Sequence, residues 1–99
     1  MPQGPFLTQN LATGTQNTLN ITSGTLVKAS GGFVATVSVL VAGSATGAVY
    51  DVATVGGAAA ANEIAVIPDT VGTYAINFKT TKGIVVVPGT GQTLAISWS

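Results

Sequence analysis

Ninety-nine residues are enough for one domain with a single small core, and without cysteine neither disulfides nor thiolate–metal ligation can staple it. Histidine and arginine are absent, and the only charges are Lys28, Lys79, Lys82, Asp51, Glu63 and Asp69, 6% of the chain against about 25% in ordinary soluble domains. Three lysines cannot neutralise the phosphates of a nucleic acid or grip an anionic membrane, and so few charges favour a surface covered by other subunits.

Residues 1–20, MPQGPFLTQNLATGTQNTLN, are rich in Gln, Asn, Thr and Gly, with scattered apolar positions. They read as an extended N-terminal arm able to span roughly 60–70 Å at about 3.3 Å per residue. Phe6, Leu7 and Leu11 are its expected contacts with a neighbour; a disordered tail is the other reading. The stretch has neither the basic start nor the apolar run of a secretory signal, so an intracellular or assembled-particle setting is expected.

Residues 21–99 read as one β-domain. TLVKAS (Thr25–Ser30) predicts a short strand closed by the turn Gly31-Gly32. FVATVSVLVA (Phe33–Ala42) alternates, placing Phe33, Ala35, Val37, Val39 and Val41 on one face. It is too short, and too polar at Thr36 and Ser38, for the roughly 18 residues of a membrane span. AVYDVAT (Ala48–Thr54) follows the break at GSATG. VGGAAAAN reads as a loop, with one helical turn as the alternative. EIAVIP, TYAINF, GIVVVP and TLAISW complete the set, separated by turns at Pro68-Asp69, Lys82-Gly83 and Gly89-Thr90-Gly91. About seven to eight short strands at regular spacing predict an all-β fold, an antiparallel β-sandwich or jelly roll.

GIVVVP does not alternate. A strand apolar at Ile84, Val85, Val86 and Val87 is expected to be buried on both faces. In a thin two-sheet domain the second cover is expected from another subunit, which makes these four residues interface candidates.

The same stretch runs into a Gly-rich loop ending Gly91-Gln92-Thr93, the shape in which a phosphate loop closes. That motif needs G-x-x-x-x-G-K-[ST] followed by a helix. Its first glycine position is Val86, its lysine position is Gln92, and LAISWS alternates as a strand. A strand–turn–strand hairpin explains every residue instead. Acid–base chemistry lacks histidine. Asp51, Glu63 and Asp69 sit beside turns, where acids are usually solvated or bonded to the backbone; a catalytic pair or a calcium site is the chemical alternative. No histidine is present to activate a serine or threonine, and a Ser–Lys pair would need a buried lysine. Trp98, Tyr50, Tyr74 and Phe78 suit a core better than a sugar-stacking platform. No enzyme activity, cofactor or resident metal is expected.

ITSGTLVKAS, the VYD at Val49–Asp51, AVIPDTVGTYAINF and above all TKGIVVVPGTGQTLAISWS resemble a group of short structural proteins of tailed bacteriophages, poor in histidine and cysteine. Those end in a glycine-valine-proline hairpin and a final SWS- or SYS-type strand. The resemblance covers residues 21–99. It implies a virion component assembled in the host cytoplasm. Such a component is a β-domain that oligomerises, often as a trimer, and decorates or cements the capsid or forms part of a fibre. The major capsid protein is the implied partner, and no catalytic residues carry over. A receptor- or glycan-binding fibre tip and a subunit of a helical tube or appendage remain as alternatives.

Overall fold

The computed structural model describes residues 14–99. Eight strands, β1 (Gln16–Ile21), β2 (Thr25–Lys28), β3 (Phe33–Val41), β4 (Gly47–Tyr50), β5 (Glu63–Ile67), β6 (Gly72–Lys79), β7 (Ile84–Val87) and β8 (Thr93–Trp98), form two antiparallel four-stranded sheets. One sheet has the order β1-β8-β3-β6 and the other β2-β7-β4-β5. Both contribute to one core, so the arrangement is sandwich-like. Val34, Val37, Val39, Leu94 and Ile96 from the first sheet meet Val49, Ile67, Ile84 and Val86 from the second. β-Branched side chains dominate because they pack well on a pleated surface.

The chain entering the domain differs from the expected boundary. Residues 16–20, assigned by sequence to the arm, form most of edge strand β1 and pair with β8 (Gln16↔Trp98, Asn17↔Ser97, Thr18↔Ile96). The Trp98 indole N–H donates to Thr18 Oγ1 at 3.0 Å, and Ile21 is buried. The two apolar residues of β1 fall on opposite faces, Leu19 outward and Ile21 inward across the bulge, which hides the strand in a reading of periodicity. Phe6, Leu7 and Leu11 lie outside the described residues.

The strand β3 alternates as predicted over Val37 and Val39, but its phase breaks upstream: Val34, not Phe33 or Ala35, is fully buried. The cause is a β-bulge. Val34 pairs with Trp98 and Thr36 with Ser97, so Ala35 is an extra residue and every side chain before it changes face.

Bulges recur on all four edge strands. The register slips between Thr18 and Ile21 on β1 and between Leu26 and Lys28 on β2. It slips again between Glu63 and Ala65 on β5 and between Ala75 and Phe78 on β6. Two of the bulges contain an asparagine at positive φ, Asn20 (57°) and Asn77 (51°), the non-glycine residue that best tolerates that conformation. Such bulges twist an edge out of the flat geometry that a further strand needs.

The predicted strand Ala48–Thr54 stops at Tyr50 because Asp51 turns away to bond another loop. The following loop holds two 3-10 turns, Val55–Gly57 and Ala60–Asn62, the short helical option left open by sequence. Thr54 Oγ1 accepts from Gly57 N–H, and Asn62 fastens the loop by accepting from Ala59 N–H and donating to Gly57 carbonyl.

Candidate functional site

The stretch that raised the phosphate question is a crossing between the sheets and not the expected strand–turn–strand hairpin: β7 pairs with β2 and β4, and β8 with β1 and β3. β7 and β8 flank a turn in which Gly91 takes φ 78°, a conformation that suits glycine. Gln92, at the position a phosphate loop reserves for lysine, is buried with its amide turned inward. Its Oε1 accepts from Gly89 N–H at 2.9 Å and its Nε2 donates to the Pro68 carbonyl at 2.8 Å. It therefore ties this turn to the β5–β6 connection.

Asp51 is also structural. Its carboxylate accepts from the backbone N–H of Thr81 (3.0 Å), Lys82 (2.7 Å) and Gly83 (3.2 Å), and from the Thr81 hydroxyl (3.2 Å). Burial pushes its pKa up. The hydrogen bonds from Thr81, Lys82 and Gly83 outweigh that effect and hold the carboxyl below its ordinary value. This loop is a nest of amides, already filled by the chain's own anion. Glu63 borders the same hollow, whereas Asp69 belongs to the β5–β6 turn at the opposite end of the sheets. Among the described residues no group of three or more acids, histidines or cysteines stands together to hold a metal.

At the Asp51 end, Lys28 and Lys79 flank an open cleft of about 610 Å3 floored by Gly31, Gly32 and Phe33. The Lys28 ammonium stands 6.0 Å from the Trp98 ring centroid. Trp98 and Tyr74 pack against the core, and Tyr74 donates its hydroxyl to the Thr70 carbonyl. Phe78, on β6 with Tyr74, is half exposed, and Tyr50 lies on β4 in the other sheet.

The interface candidates on β7 are placed differently from expectation. Ile84, Val85 and Val86 are all 0% exposed within the single chain, and Val87 is half-buried. Double burial of the strand is as read from the sequence, but the three fully buried residues offer no surface to another subunit. The chain supplies the cover itself. On the outer face Val85 lies between Leu26 of β2 and Tyr50 of β4. The loop after β4 also returns here. A Cβ at Gly24 would stand 3.0 Å from Val55 Cγ1 and 3.8 Å from Val87 Cγ2, and the Val52 carbonyl lies against Gly83.

The outer face of the β1-β8-β3-β6 sheet is different, and sequence reasoning did not find it. One register row across its four strands reads Asn17, Ser97, Thr36, Ala75. The next reads Ala95, Ser38, Thr73, with Leu19 beside Ala95 in a shallow hollow of about 180 Å3. Ser38 and Thr73 share a hydrogen bond of 3.0 Å between their hydroxyls. Leu19 is 69% exposed and Leu40, further along β3, is 53% exposed. No charged residue occurs on β1, β3 or β8, and the only one on β6 is Lys79 at its end. The chain enters at one corner of this face, where Gly14 carbonyl accepts from Ser97 Oγ at 3.2 Å.

Compared with family models, curated proteins and solved structures, the chain matches none of the three.

Proposed function

We propose that this chain is a structural virion protein of a tailed phage, a capsid decoration or cement protein. In this reading it closes into an oligomer, a trimer, and is anchored to the major capsid protein by the arm that precedes β1. The observation that carries the reading is the broad, uncharged outer face of the β1-β8-β3-β6 sheet on a chain with six charges in all. A surface made of Ala, Ser, Thr, Asn and Leu holds no ion to desolvate when covered, and is better suited to packing than to colloidal solubility.

Further support comes from the order of the strands. Eight strands arranged β1-β8-β3-β6 and β2-β7-β4-β5 fit the interleaved Greek keys of a jelly roll, an architecture that recurs in viral capsid and lectin domains. The resemblance of residues 21–99 to phage structural proteins points the same way. The bulged edges argue against a tube built by strand addition, and the core packing of Trp98 and Tyr74 argues against a glycan platform.

Sedimentation equilibrium and binding to preformed capsids test the reading together. A discrete trimer that decorates capsids is the expected result. A monomer that stays dispersed at high concentration overturns it.

A further inference from the structure

The structure assigns the cleft between Lys28 and Lys79 as a binding site for an acidic peptide segment of a partner protein, one in which carboxylate side chains flank an apolar one. The site lies at the Asp51 end of the domain, apart from the outer face of the β1-β8-β3-β6 sheet, and does not depend on whether the chain forms a trimer.

A bulge puts Lys28 in the cleft. Leu26 pairs with Val85, which faces outward, and Lys28 pairs with Ile84, which belongs to the core. β2 thus advances two residues while β7 advances one, and Lys28 stands on the inner face where unbroken alternation would put it outside with Leu26. From there its ammonium reaches toward the other sheet, 6.0 Å from the Trp98 ring centroid. That ring is itself held by the indole N–H bond to Thr18. Gly32 leaves the room: a Cβ there would lie 3.0 Å from Lys28 Cδ and 3.1 Å from its Nζ. The stem is packed and the charge is presented to the cleft.

The cleft has the size and lining of a ligand site. Its volume of about 610 Å3 falls within the roughly 300–1,000 Å3 of such sites, and its surface is mainly apolar. Phe33 is the register partner of Lys79, so the second cation stands beside the aromatic floor. Ser99 borders the cleft with its main chain bonded to Phe33 in both directions, at 2.9 Å each.

Charge selects the occupant. Two of the chain's three lysines line this cleft, and no acidic side chain does. Asp51 is bonded to the amides of Thr81, Lys82 and Gly83, Glu63 borders the neighbouring hollow with Lys82, and Asp69 is at the opposite end. An entering carboxylate therefore meets two cations and no side-chain anion. Apolar surface between the cations suits an apolar side chain between acids better than an inorganic anion. The cleft is open to solvent, which suits a length of chain laid across it better than a small acid enclosed whole.

A titration tests the site. Amide chemical shifts and the emission of Trp98, the chain's only tryptophan, are followed as the peptide acetyl-Glu-Leu-Glu-Phe-Glu-amide is added up to about 10 mM. The native chain is compared with Lys28→Gln, Lys79→Gln and, outside the cleft, Lys82→Gln, all checked for an unchanged thermal transition. Saturable shifts are expected at Gly31, Gly32, Phe33, Thr80 and Thr81. Each of the first two variants should raise the dissociation constant about threefold or more, and Lys82→Gln should leave it unchanged. Absence of saturable shifts, shifts centred elsewhere, or equal binding by all four chains overturns the site. Tighter binding of phenylbutyrate at the same residues makes the occupant a small organic acid and overturns the peptide assignment. Neither failure touches the virion reading, which rests on oligomer formation and capsid binding.

Discussion

The two sheets use the same strand count and contribute to the same core, yet their outer faces are opposites. On β2-β7-β4-β5 the outward residues are large and apolar, and the chain folds its own β4–β5 connection back beside them, so that Val85 is as inaccessible as Val86 behind it. On β1-β8-β3-β6 the outward residues are Ala, Ser, Thr and Asn, punctuated by Leu19 and Leu40, and they are left open. The apolar run thus marks a strand that is already covered, although Leu26 and Val66 on the same face stay 41% and 61% exposed. The face available for assembly is built from small uncharged residues, which tolerate water when the chain is alone and whose hydroxyls and amides need hydrogen-bond partners when it is covered.

The largest effect that would sharpen this contrast is expected at Val85. Val85→Asp buries a carboxylate on the self-covered face and should destabilise the fold by at least about 3 kcal/mol, within reach of the whole stability of a small domain. Urea unfolding measures it. A shift of only a few tenths of a kcal/mol would mean that the cover opens readily and that β7 is accessible after all.

Gln92→Ala comes next. It leaves the Gly89 N–H and the Pro68 carbonyl without their partner in a buried site, with an expected cost of about 1–3 kcal/mol in the same assay. Oligomer formation should persist, because the clasp lies at a loop end and not on the open face.

Asp51 gives a smaller, pH-dependent effect. Its folded pKa is lowered, so the stability it contributes is fully present above its unfolded value of about 3.9 and is lost as pH falls through the folded value. The native chain should therefore lose stability on acidification below about pH 4. Asp51→Asn should start less stable at neutral pH and show a flatter acid limb. Parallel acid limbs in melting temperature against pH would remove Asp51 from the account of that end of the domain.

Smallest of all should be Ser38→Ala. The bond it removes, to Thr73, is exposed, and its cost to folding should stay below about 1 kcal/mol. Any larger change in self-association than in stability would tie that hydroxyl pair to the interface.

Much of the architecture was legible from local pattern, because alternation, β-branched runs and Gly/Pro turns are local properties. Seven of the strands fall where period and turn signals put them, and the turn from Pro88 to Gly91 was readable, but the hairpin read there was not: it carries the chain from one sheet to the other. What failed were features set by pairing. Nothing at Ala35 announces that it is the extra residue that turns Val34 inward; the bulge exists only against Ser97 and Trp98. The strand at Gln16–Ile21 is concealed because its register with β8, not its own hydrophobicity, makes it a strand. Ile84 to Val87 declared that both sides are covered, but not by what, since Val55 and Val52 approach from a separate loop. The open face was invisible for the same reason. Asn17, Thr36, Ala75 and Ser97 are unremarkable polar and small residues until four separate strands align them. Asp51 was the reverse case: an acid beside a turn was expected to bond backbone, and it does.

The claim that assembly runs through the β1-β8-β3-β6 face is tested most directly by hydroxyl-radical footprinting of the native chain at low and high concentration. If the β1-β8-β3-β6 face carries the association, labelling of Leu19 and Leu40 falls as the chain assembles while labelling of Val66 stays constant. Unchanged labelling at both leucines in the assembled state, or protection of Val66 in their place, contradicts it.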